Sequence, residues 1–219
     1  MMKLSRPCVF HHPQICFSLP VSTYSKQECT YLQAPSLLTI LPCLWLNHTM
    51  AQSIIHGPLW YGGLALPDFY LSQGIGQLKL FLGPLWAQDK TSNLIHISLS
   101  HLQLEIGLLI LALNLNFSKF KGWIEPTWIT SIWRFLNFAN YTITLANPWL
   151  PTLAHINDTF LMMHFLNLQL STSELSWLNC CCLYCQVITL TDLTSGDGKD
   201  SWPPQAKKTN MVDSILPSP

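Results

Sequence analysis

Residues His56 to Gly76 read HGPLWYGGLALPDFYLSQGIG, and the interpretation of this stretch governs that of the chain around it. Gly57-Pro58 opens it, Gly62-Gly63 stands at its centre, and Leu66-Pro67-Asp68 leads out of it. Glycine pairs reach backbone angles and close approaches that a Cβ forbids. Proline followed by aspartate ends a loop and caps a helix. Gly57, Pro58, Gly62, Gly63, Pro67 and Asp68 are therefore expected to build a tight structural loop that launches a helix near Phe69.

Downstream, Leu71, Ile75, Leu78 and Leu82 recur at helical intervals. This predicts a helix over 69–82, ended by Gly83-Pro84. Gly74 and Gly76 each weaken it by close to ~1 kcal/mol unless a neighbour packs tightly there. A second helix opens near Ser92, with Ile95, Leu99, Leu102, Ile106, Leu109 and Leu113 on one stripe. After Ile106 it is apolar on nearly every side, which assigns it to the core. Pro126-Thr127 starts a third helix, whose Ile129, Ile132, Trp133 and Leu136 share a face. Asn157-Asp158 caps a fourth over 159–168, and Ser171 with Glu174 has capping-box spacing and opens a fifth, to about Cys185. Alternation at Tyr141, Ile143 and Leu145, and again over 187–193, reads as two short strands, with Gly196-Asp197-Gly198 as a turn.

Upstream, Pro7, Pro13, Pro20 and Pro35 break the chain into short pieces. We expect residues 1–41 to be poorly ordered, 42–200 to form a helical domain, and 201–219, rich in proline, lysine and serine, to be a disordered tail. The expected fold class is mainly α: an irregular domain of about five helices with one or two short strands and disordered ends.

Composition narrows the function. Charged residues are only 10% of 219, against the usual quarter, and 11 Lys+Arg balance 11 Asp+Glu. A neutral chain with so few cations is not expected to bind nucleic acid strongly. Lys79, with Lys119 and Lys121, would supply at most a weak contact. The mean hydropathy of +0.26 raises the question of a membrane span, but the run Ile106 to Leu115 is shorter than the roughly 17 residues needed. The amino terminus makes a poor signal peptide, so an intracellular location is expected rather than a secreted one.

Catalytic chemistry has no sequence signature here. Paired carboxylates, a nucleophile elbow and a P-loop are missing. Cys182 and Cys185 have the spacing of a zinc half-site, but no second pair completes it, and buried reduced thiols are the simpler expectation for Cys180, Cys181, Cys182 and Cys185. His96, His101, His155 and His164 have no neighbouring nucleophile motif. Asp192, Asp197 and Asp200 lack the ligand spacing of a calcium loop. Trp123, Trp128 and Trp133 read as helix-packing residues. We expect no cofactor and no metal.

Gly62-Gly63-Leu64, Leu66-Pro67-Asp68 and Tyr70 resemble an element of non-LTR (LINE-type) retrotransposon polyproteins that follows the reverse transcriptase palm, at the thumb. The lead-in Leu41-Pro42, Asn47-His48 and Ile54 to Pro58 is similar to the approach to that element. Trp128 to Leu136, Pro148-Trp149, Asp158 with Leu161-Met162, and Asn179 through Asp192 to Asp197-Gly198 resemble the post-polymerase region of algal-type elements. The resemblance covers roughly residues 41–205. It implies a region that would help grip a template-primer duplex in the intact parent protein. The palm aspartates of a Tyr-x-Asp-Asp motif are absent, and neutral residues such as His48 and Cys181 or Cys182 stand where the resemblance leads us to expect cations. The resemblance thus implies a truncated, non-catalytic chain. Two other classes stay open: a small structural protein that binds a partner through apolar helices, and a membrane-associated protein through Leu94 to Leu115.

Overall fold

A computed structural model describes residues 18–146, 148–151, 153 and 158–194. The fold is mainly α. In chain order the helices among the described residues are α1 (Lys26–Cys43), α2 (Gln52–Ile55), α3 (Phe69–Ala87), α4 (Lys90–Ile106), α5 (Phe117–Phe120), α6 (Trp128–Ala139), α7 (Leu161–Asn167) and α8 (Thr172–Cys185). Two compact units divide the chain. One holds the residues up to Ser92 with Thr130–Phe135, and the other holds Asn93–Ile129 with the residues from Leu136 onward.

In the first unit the unexpected element is α1. The four prolines led us to expect poor order over 1–41, yet Lys26–Cys43 is an 18-residue helix. Ser25 and Glu28 form its capping box: the Glu28 amide donates to Ser25 Oγ, and the Ser25 amide donates to Glu28 Oε2 at 2.6 Å. Pro35 and Pro42 lie inside the helix. Pro35 takes the amide partner from the carbonyl one turn back, at Tyr31, which is 69% exposed and can turn to water instead.

α3 continues through Pro84 to Ala87 where an end at Gly83-Pro84 is expected. The clash that normally forces the residue before proline out of the helical region involves its Cβ. Gly83 has none, and open space surrounds it. Inside α3 a Cβ on Gly74 would overlap the Phe135 ring, and one on Gly76 would press on Pro20. The two glycines are thus explained by close packing. Leu19, Cys29, Phe69, Tyr70 and Phe135 form one buried cluster, with Leu78 packed against it. The Tyr70 and Phe135 rings meet edge-on at 5.8 Å.

Buried glutamines stitch this unit together. Gln73 donates to the Tyr24 carbonyl at 2.9 Å and accepts from Ser22 Oγ at 3.0 Å. Gln77 donates to the Ser22 carbonyl at 2.6 Å and to Ser131 Oγ at 3.2 Å. Long amides serve here because the segment before α1 has no regular backbone partner for the Ser22 and Tyr24 carbonyls, and the buried glutamine amides need acceptors in turn.

In the second unit Ile95, Leu99, Leu102 and Ile106 are buried on one stripe of α4, as their spacing predicts. The stripe does not continue to Leu113 as one helix. Gly107 takes φ +62°, its amide closes on the Gln103 carbonyl, and Leu109 is exposed. A left-handed glycine is the standard stop of a helix. The buried Gln103 side chain then donates to the Leu108 and Ile110 carbonyls and accepts from the Ala112 amide, supplying partners for a chain that has left the helix.

Neither expected strand forms. Ile143 makes both backbone bonds to the Asn114 side chain, at 2.9 Å each, so an amide side chain stands where a partner strand would. Over 187–193 there is one bridge, Phe160 to Thr189, and then a 3-10 turn at Leu190–Asp192. Asp192 draws the chain into that turn by accepting from the Ile188 and Thr189 amides at 2.8 Å. The fourth helix begins at Leu161 and spans seven residues. α8 starts at its capping box as expected. The turn at 196–198, the tail 201–219, His155 and Asn157 lie outside the described residues.

Candidate functional site

The loop between α2 and α3 carries the residues singled out first. α2 delivers the chain to Gly57, Pro58 caps a 3-10 turn at Leu59–Tyr61, and the chain then folds back on itself. The Leu64 amide donates to the Ile54 carbonyl at 2.9 Å, Ala65 to Gly57 at 2.9 Å, and Leu66 to Ile55 at 3.0 Å. His56 pins the return, with Nδ1 2.8 Å from the Leu66 carbonyl and Nε2 2.8 Å from Gln52 Oε1. The backbone polar groups of a surface loop are thereby satisfied locally.

Each glycine has its own reason. A Cβ on Gly63 would strike the Gly57 backbone, and one on Gly57 would strike the Ser53 carbonyl. Gly62 has room around it but takes φ +79°, the left-handed region. Ala65, at φ +51°, occupies that region without being glycine, a strain held by the hydrogen bonds on either side.

At the exit, Asp68 Oδ1 accepts from the Leu71 amide at 3.0 Å and caps α3. Gln33 of α1 straddles this residue: its Nε2 donates to the Pro67 carbonyl at 2.7 Å, and its Oε1 accepts from the Phe69 amide at 3.3 Å. Gln33 is buried, and sequence reading missed it because no helix was expected to extend back past Leu37. At the tip, Leu59, Trp60 and Tyr61 are 70%, 81% and 84% exposed. The loop is a hydrogen-bonded frame that leaves three large side chains exposed.

Lys79 is exposed on α3 in the first unit, while Lys119 on α5 and Lys121 just after it are exposed in the second. No single unit carries all three. The Arg134 Nη2 donates to the Thr23 and Tyr24 carbonyls, at 3.0 and 2.9 Å, so this guanidinium is engaged with backbone.

Among the described residues no three of His, Cys, Asp and Glu are arranged to hold a metal ion. Cys180, Cys181, Cys182 and Cys185 all lie on α8, with Cys180 exposed and the others half-buried. Burial raises the Cys181 thiol and pushes Cys182 up to about 11, with neighbouring cysteines adding to it. His164 Nε2 lies 2.8 Å from Thr159 Oγ1, and His96 and His101 are exposed. Trp123 and Trp133 are buried. Among the described residues no helix is long and apolar enough to cross a membrane.

Asp158 is tied in most densely. Its carboxylate accepts from the Thr159 and Thr191 amides at 2.9 and 3.1 Å and from Thr191 Oγ1 at 2.6 Å. Desolvation alone would raise this carboxyl, but the hydrogen bonds from Thr191, Thr189 and Thr159 outweigh it and bring it down to about 2. The group is thereby a fixed anion that holds the 189–192 turn to the start of α7.

Comparison with protein-family models, with curated proteins and with solved structures finds no match to this chain.

Proposed function

We propose that this chain is a non-catalytic accessory region of the kind that follows the palm in non-LTR reverse transcriptases, with at most a weak grip on nucleic acid. The observation that carries this reading is the loop from Gly57 to Asp68. Three of the residues that resemble the retroelement segment have a strict geometric role here. Gly63 admits no Cβ, Gly62 is left-handed, and Asp68 caps the helix that follows. Such a joint orients α3 against a neighbour, which is the role of the corresponding segment at a polymerase thumb. The cations are few, and phosphate contacts supply most of non-specific affinity.

Fluorescence anisotropy with a primer-template duplex tests the grip. Three lysines give a log–log salt slope no steeper than about −2.7, with a dissociation constant near the weak end of the non-specific range, about 10⁻⁴ M. Replacing Lys79, Lys119 and Lys121 by alanine removes that slope. Micromolar binding with a steep slope overturns the reading.

A second reading rests on a separate observation. Leu59, Trp60 and Tyr61 project from a rigid loop, and aromatic anchors on a rigid support are what protein interfaces use. On this reading the chain is an interaction protein. It predicts a stable complex in pull-down with a partner that the triple serine variant L59S/W60S/Y61S does not retain. A monodisperse monomer that retains nothing contradicts it.

A further inference from the structure

We infer that the second unit carries a small-molecule pocket for a neutral aliphatic ligand with a single hydrogen-bonding head, and that Asn179 reads the head. The pocket lies where α7, α8 and the chain after α8 meet the end of α4. Its walls include Leu104, Leu161, Met162 and Ile188, and its volume is ≈ 400 Å³. That is within the roughly 300–1,000 Å³ typical of ligand sites.

Its polar content decides the chemistry: Gln186 in the wall is exposed to solvent, which leaves Asn179 as the buried polar side chain. Asn179 is 4% exposed and lines the pocket. Among the described residues its amide takes part in no hydrogen bond, and it is not a sealed orphan, since the buried unpartnered side-chain atoms are on Trp123 and Arg134. Its remaining contact with the outside is therefore the cavity. An asparagine amide offers both a donor and an acceptor, and in the cavity a ligand's hydroxyl or amide would meet them in place of water.

No charged residue lines the pocket. Cys182, also in the wall, has its thiol pushed up to about 11 by burial and is neutral at physiological pH. An anionic head would be desolvated with no cation to meet it. Gly107 helps by what it lacks. At φ +62° it turns the chain away from α4, and it adds no side chain to the cavity. This inference stands independently of the retroelement reading.

The test uses the full chain, ¹⁵N-labelled, titrated with 1-octanol, octanamide and octanoate. The side-chain NH₂ pair of Asn179 is expected to shift saturably with 1-octanol and octanamide. Octanoate is expected to bind at least about tenfold more weakly, from the uncompensated desolvation of its charge. Asn179→Leu should weaken octanol binding about threefold to tenfold, and Met162→Trp, which fills the cavity, should abolish it. The comparison of octanol with octanoate on the wild-type chain needs no variant to fold. Absence of a saturable shift at Asn179, or octanoate binding as tightly as octanol, overturns the proposal.

Discussion

At the scale of the residue, the loop glycines make separable predictions. Gly63→Ala places a Cβ against the Gly57 backbone, which cannot rotate away. Gly62→Ala meets nothing and bears only the left-handed backbone, about 1–2 kcal/mol. Urea denaturation should find Gly63→Ala the more damaging of the two, and the reverse order would refute the geometry. Asp158 gives a pH test. Its folded value, about 2, lies below its ordinary 3.8. The stability it contributes is therefore complete above pH ~4 and is lost as pH falls toward 2. Asp158→Asn should flatten the acid limb of the stability curve in that window and leave less difference between pH 4 and 2 than wild type shows. Glu105 works with the opposite sign. Burial raises its carboxyl, against the pull of the Glu125 amide, so it favours the folded state less as pH rises through the carboxylate range.

At the scale of the element, α3 offers a double-mutant cycle. Gly74→Ala gains up to ~1 kcal/mol of helix propensity but drives a methyl into the Phe135 ring, where overpacking costs about 1–3 kcal/mol. The expected sign is destabilising in wild type and reversed in the Phe135→Ala background, measured by denaturation midpoints. Additive effects would mean that the ring is not what Gly74 accommodates. The loop, the start of α3 and the capping box of α8 were legible in the sequence, because Gly62, Gly63, Asp68, Ser171 and Glu174 act within a few residues of themselves. The start of α1 carries the same signature in Ser25 and Glu28, but the expectation for this segment rested on its prolines alone and did not use it. The helix tolerates Pro35 because the residue that loses its amide partner, Tyr31, lies on an exposed face where water can serve instead. The apolar run after Ile106 looked helical since periodicity cannot see a glycine turning left-handed, and the would-be strand at 141–145 lost its partner to Asn114. Asn179 gave no signal as a binding residue: one asparagine among cysteines becomes notable only when its burial and lack of partners are known.

At the scale of the whole molecule, low charge and exposed apolar side chains set the behaviour. Trp45 and Trp86 are about nine-tenths exposed, as the loop tip nearly is. With a net charge of zero, such a surface favours association in solution. Replacing Leu59, Trp60 and Tyr61 by serine should leave the unfolding free energy within about 0.5 kcal/mol of wild type, since these side chains pack little, and should lower self-association in sedimentation velocity. A large loss of stability would show that the tip is part of the core. The retroelement reading makes a demand outside the polypeptide. Sequencing the DNA immediately 5′ of the Met1 codon tests it most directly. The account predicts remnants of a palm there, with paired aspartates in a Tyr-x-Asp-Asp setting and in the same orientation. Ordinary intergenic or promoter DNA in that position would contradict it.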